Sequence, residues 1–374
     1  LYIYPFMDPK YQINDSRLMN DFKESTFSGY KKSDVISTLF KNIDKNKVEN
    51  ACNWITECIL SGYTLQIWEK ILVYAFKTIH INNSKLPKYL LNKHEILYNQ
   101  YARLSVKNKD IVLILRNSQM IRNLFFDVIT TLCCSSKSKK YDKPIKINND
   151  DFDFNNMRTR LCATMNLLPN HIIHFNDPEE LKIIINEFYF NLKNPLVGYE
   201  KCCYWVQWLI KWDDLHKKKK NPWQVDARDV PLKGNLKCDV IWVIWECIFE
   251  EIKYRKQNDE RNINYLCIQI EPLYKLFLHN YSVGKRSSRL PYVFLAIGLL
   301  TLKVNYDIPL RNNIEVFIQS QGNVNKMFEA KKVHEIKSDI FIKQDEEDKK
   351  LKKKNKNNND VMSAKISVFN DLNF

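Results

Sequence analysis

With 374 residues, 45% of them hydrophobic and 13% aromatic, the chain carries ample apolar surface for a large core and has room for two domains of ordinary size. Its 7 glycines and 12 prolines are too few to turn the many strands of a β-sandwich or barrel, which leaves long helices as the alternative. The formal net charge of +15 lies mostly ahead of Lys331. A body that basic either is drawn to phosphate polyanions or reflects the lysine-rich coding of an AT-rich genome.

Residues 1–26, with Pro5 and Pro9 and no apolar periodicity, read as an extended arm. From Ser33 the spacing of Val35, Ile36, Leu39, Phe40 and Ile43 predicts an amphipathic helix, with Ser33 and Asp34 as its cap residues. A second helix is predicted over 47–60, stopped by Ser61 and Gly62, and a third over 65–79. A fourth begins near Pro87 and runs through Leu97 and Tyr101; connections this short make the helices antiparallel neighbours. Residues 110–134 read as one apolar helix or a pair, and 135–153, with its serines, lysines and Pro144, as an exposed linker.

Further helices are predicted over 157–167, 177–192 (Asp177 at the cap, Pro178 in the first turn) and 199–212. A polar loop over 213–237 separates these from helices at 239–256, 266–279 and 292–303. Short strands are expected at 314–318 and 336–342, and disorder from Gln344 to Val361. The predicted architecture is therefore all-α. It has an arm (1–26), a helical-bundle domain (27–134), a linker (135–153), a second helical-bundle domain (154–310) and an irregular tail (311–374) with a low-complexity Lys/Asn run.

Motifs for chemistry are lacking. The chain has no phosphate-binding Gly-rich loop followed by Lys and Ser/Thr, no dinucleotide fingerprint, no serine elbow and no His-Glu-x-x-His. His171 and His174 with Cys202, Cys203 and Cys238 fit no established zinc spacing, so neither a metal nor another cofactor is expected. The ten cysteines have no framework spacing and no secretory signal is visible, which points to reduced thiols packed as small apolar residues. Paired carboxylates such as Glu179–Glu180 and Asp213–Asp214 serve helix starts or solvation.

The candidate binding residues are basic. Lys217, Lys218, Lys219 and Lys220, together with Lys285, Arg286 and Arg289, flank helices rich in tryptophan and are expected to contact nucleic acid or an acidic partner. Trp205, Trp208 and Trp212, and likewise Trp242 and Trp245, recur at helical spacing and are expected mostly in the core.

Residues 33–90 resemble the helical collar of clamp-loader-type ATPases, in particular the MgsA-like branch. Ala51, Trp54, Ser61, Gly62, Ile79 and Pro87 stand where that paired-helix unit carries its alanine, tryptophan, helix stop and final turn. The acidic pair usual before that turn is replaced by Lys77 and Thr78, and the ATPase domain is missing, so the resemblance implies subunit-holding, including self-association through 33–90, and no motor activity. The Asn, Lys and Ile bias and the Tyr204–Trp205–Trp208 and Asp239–Trp242–Trp245 patterns resemble uncharacterised helical proteins of large nucleocytoplasmic DNA viruses. That resemblance implies a viral factory or virion setting. The expected function is a non-enzymatic assembly or scaffold protein that binds other proteins, with nucleic acid as a further partner. The alternatives are a structural minor capsid or core component, or an accessory factor of viral DNA replication or transcription.

Overall fold

The computed structural model describes residues 8–104, 109–138, 146–195, 197–218, 223 and 225–337. Among these residues the protein is all-α, with one isolated bridge between Ser25 and Lys31 and no strand. None of these helices is long and apolar enough to cross a membrane.

The first group of helices comprises α1 (Lys32–Asp44), α2 (Val48–Leu60), α3 (Thr64–Tyr74), α4 (Leu86–Arg103) and α5 (Gln119–Cys134). Gly62, at φ +73°, ends α2 as the sequence predicts: Tyr63 N donates to Cys58 O and Gly62 N to Ile59 O, so orphan carbonyls of the last turn are satisfied. The tail of α3 widens into a π turn over Ala75–Ile79. Helices α1, α2 and α5 pack side by side.

The second group comprises α6 (Phe154–Arg160), α7 (Glu179–Leu192), α8 (Gly198–Lys218), α9 (Ile241–Gln257), α10 (Ile263–Leu278), α11 (Val283–Arg286) and α12 (Leu290–Thr301). The sequence of α12, LPYVFLAIGLLT, has no charged residue, and a helix that is apolar all round belongs inside. It packs against α8, α10 and the π turn, and α10 packs on α4, so the apolar interior runs without interruption between the two groups. Trp68, Trp205, Trp208, Trp242 and Trp245 are buried in it.

Two short helices close the described chain, α13 (Ile314–Gly322) and α14 (Val324–Lys331). The strand expected at 314–318 is corrected to α13. Asn313 caps it by accepting a hydrogen bond from Val316 N, and the side chains of its inner face pack on α5. Five residues with four apolar side chains suit either element, and the cap decides for the helix. Glu335 to Lys337 form no strand, and the rest of the strand expected at 336–342 lies outside the described residues, as does the segment expected to be disordered. At α7 the cap also differs: Asp177 faces Arg228 and accepts from His174 N, and the helix starts at Glu179. Helix α8 extends six residues beyond the predicted Trp212, to Lys218.

The arm is held by side chains of the first group. Asn117 exchanges hydrogen bonds with both backbone groups of Ile13, and Arg122 donates to Tyr11 O. Ser16 N donates to Ile336 O and Ile336 N to Asp15, so the arm and the segment after α14 run together over this bundle.

Candidate polyanion-binding surface

Lys217 of the first basic cluster singled out in the sequence meets the second cluster in space. Lys217, at the end of α8, and Arg286, on α11, both reach Asp213 Oδ2 at 2.6 Å. Arg286 also pairs with Asp239 at 2.8 Å and Asp214 at 2.7 Å, and Tyr281 donates its hydroxyl to Asp239. Lys285 and Arg289 share Glu69 on α3, at 2.8 and 3.5 Å. Four cations thus face four carboxylates.

This geometry corrects the expectation for Arg286 and Arg289. Arg286 is 1% exposed, and Arg289 is buried with its guanidinium donating to the carbonyls of Phe277 and His279. Surrounding carboxylates hold Arg286 above its ordinary pKa, outweighing burial, which acts the other way. An arginine so held is an internal strut, because reaching an external phosphate would strand Asp213 and Asp239 in the interior. Lys217 and Lys285 remain part-exposed but are paired, Lys218 is exposed, and Lys219 and Lys220 lie outside the described residues.

A different surface gathers further lysines. The α1–α2 turn, the end of α3 with its π turn, and the C-terminus of α5 come together at one end of the first bundle. Lys137 Nζ donates to Asn46 Oδ1 at 2.5 Å and to Cys133 O, Ser138 N donates to Thr78 O at 2.6 Å, and Tyr74 donates its hydroxyl to Asp44 at 2.6 Å. These contacts bring Lys45, Lys47, Lys77 and Lys137 into one neighbourhood, with Lys41 one turn back on α1. Lys41, Lys45 and Lys47 are exposed. Asp44 and Glu49 are the acids next to Lys45 and Lys47 in the α1–α2 turn. Burial lowers the Lys137 pKa, with partial relief from nearby thiols and Asp44, so Lys137 acts chiefly as the cap of α5.

Phe40 and Tyr74 stand among these lysines, with ring centroids 5.1 Å apart and planes inclined at 31°, and both are half-buried. Beyond Ser138 the sequence continues with Lys139, Lys140, Lys143 and Lys146 against Asp142. Sequence reading missed this site because its lysines come in three ordinary-looking stretches; only the packing of α1, α2, α3 and α5 unites them.

Comparison with known proteins finds no match: no family model fits the chain, and neither a curated protein nor a solved structure is significantly similar to it. Functional inference therefore rests on the chemistry of the surface. Among the described residues no group of three or more His, Cys, Asp or Glu side chains could hold a metal ion. His171 pairs with Glu250 at 3.3 Å, while Cys202 and Cys203 are buried.

Proposed function

We propose that the protein is a non-enzymatic helical scaffold that binds nucleic acid at the basic end of its first bundle. The observation that carries this reading is the meeting of Lys45, Lys47 and Lys77, with Lys41 one turn back, around the partly buried Phe40–Tyr74 pair. Lysines hold phosphates by a sequence-independent, salt-sensitive attraction, and aromatic faces accept unpaired bases, a combination suited to a single strand. The resemblance to helical proteins of large DNA viruses would set such a scaffold in a viral factory or particle, as an assembly factor, a structural component or an accessory to replication or transcription.

The test is fluorescence anisotropy with a labelled single-stranded oligonucleotide across a salt series. Four phosphate contacts correspond to a slope of about −3 in log K against log salt, at roughly −0.7 per contact. Lys45→Glu combined with Lys47→Glu should flatten the slope by about 1.4 and weaken binding at least tenfold. Undiminished binding by this double variant would refute the assignment of the surface.

A further inference from the structure

Phe175 is 99% exposed, whereas the other phenylalanines among the described residues are mostly buried or packed on the core. Leaving a phenylalanine in water forfeits about 2 kcal/mol of burial, and a floppy loop would let it fold back. This loop is not floppy. His174 N donates to Asp177 Oδ2 at 2.8 Å and Asp177 N to His174 O at 3.2 Å, while Asn176 donates from its backbone and side chain to Asp226. Behind the loop, Asp177 pairs at 2.5 Å with Arg228, and neither side chain is exposed. The turn therefore presents the ring outward on a braced base, and an anchor of this kind pays little ordering entropy on docking.

The surroundings of the ring are acidic. Asp226 touches the neighbouring Asn176, and Glu179 and Glu180 stand exposed in the first turn of α7. Arg228, the cation beneath them, is taken up by Asp177 and Glu246. An acidic rim around an aromatic knob calls for a basic receptor with an apolar floor. The end of the first bundle has both, in Lys41, Lys45 and Lys47 around Phe40 and Tyr74.

We propose that Phe175 and its acidic rim dock on the basic, aromatic end of a second copy of this chain, a head-to-tail contact between different patches. Phe175 meets the Phe40–Tyr74 pair while Glu179, Glu180 and Asp226 face Lys41, Lys45 and Lys47. Because different patches meet, each pair keeps one free knob and one free receptor, and growth continues into open chains or, where the rotation closes, a ring. Nucleic acid and a second copy then compete for the same lysines. The contact shares that surface with the nucleic-acid reading but is measured in its absence, so either can fail alone.

Sedimentation velocity of the nuclease-treated full chain tests this at low and high salt. The expected result is association that grows with concentration at 50 mM salt and fades at 500 mM. Phe175→Ser should weaken it at least tenfold with the circular dichroism spectrum unchanged. Glu179→Lys with Glu180→Lys, and Lys45→Glu with Lys47→Glu, should each be monomeric alone and associate when mixed, since the reversed charges complement one another. A wild-type chain that stays monomeric at 100 µM and 50 mM salt, association indifferent to Phe175→Ser, or charge-reversed variants that fail to associate when mixed would overturn the proposal.

Discussion

Acidification should destabilise this protein well before its ordinary carboxylates protonate, and two histidines set the slope. His80, beneath α12, and His94, on α4, are both buried, and burial pushes each down to about 3; for His94 the neighbouring His279 and Arg289 add to it. The His94 ring accepts at Nδ1 from Trp68 Nε1 at 3.0 Å, so a proton placed there would meet a donor instead of a lone pair. An unfolded histidine titrates near 6.5. The stability these neutral imidazoles contribute is complete above that value and is lost as pH falls below it, at about 1.4 kcal/mol per pH unit for each ring and about 2.7 for both. Glu246 works in the opposite sense. Burial raises it to about 7 in spite of Arg228, so its contribution is complete below the unfolded value and is lost as pH rises toward 7. Its side chain is 31% exposed, and solvent screening keeps its slope below about 1.4 kcal/mol per unit. Between pH 6.5 and 5 the wild type should therefore lose between about 1.4 and 2.7 kcal/mol per unit, a large share of the ~5–15 kcal/mol that holds a domain together. Urea unfolding followed by circular dichroism at half-unit steps measures this directly. Glu246→Gln should steepen the dependence, and His94→Gln, whose amide oxygen still accepts from Trp68, should reduce it by about 1.4 kcal/mol per unit. A His94→Gln slope equal to that of the wild type would refute the argument.

Removing Arg286 should be costly, because its carboxylate partners are buried. Arg286→Met leaves buried Asp239 with the hydrogen bonds of Tyr281 and Ile241 N in place of its cation, and Asp213 with Lys217, and denaturant titration should show a loss of about 3–5 kcal/mol; a loss under about 1 would mean that these carboxylates are solvated. Gly298→Ala tests the packing of α12, since a β-carbon there would lie 2.8 Å from His80 Cε1 and 3.4 Å from Leu302 and Tyr199. The expected cost is about 1–3 kcal/mol in the same titration, and a neutral result would show that His80 has room to move.

Helix patterning was the most legible level of the sequence. The stripe of Val35, Leu39 and Ile43 and the Ser61–Gly62 stop stand where their spacing put them, because apolar period and glycine handedness are local physics. What misled was a short, mostly apolar stretch, Ile314–Ile318, where Asn313 supplies a helix cap that composition alone does not weigh against β-branching. The charged residues show a deeper limit. Lys285, Arg286 and Arg289 look solvent-bound as a string of letters, yet two of the three are buried, because Asp213, Asp239 and Glu69 lie far away in sequence and only the fold delivers them. Lys45, Lys77 and Lys137 illustrate the reverse, with unremarkable neighbours in sequence and one another as neighbours in space.

The joining of residues 14–17 to 334–336 sets a timetable for biosynthesis. As the polypeptide leaves the ribosome, α1 to α5 are available early, but the partners of Ser16, Arg17 and Asp15 are more than 300 residues away and emerge much later. The flank of α5 that α13 will cover, where Thr130 awaits Ser320, stays wet through most of translation. Nascent chains should accordingly pass through a long-lived stage with apolar α5 side chains exposed, the stage at which chaperone capture or misassembly between neighbouring ribosomes would occur.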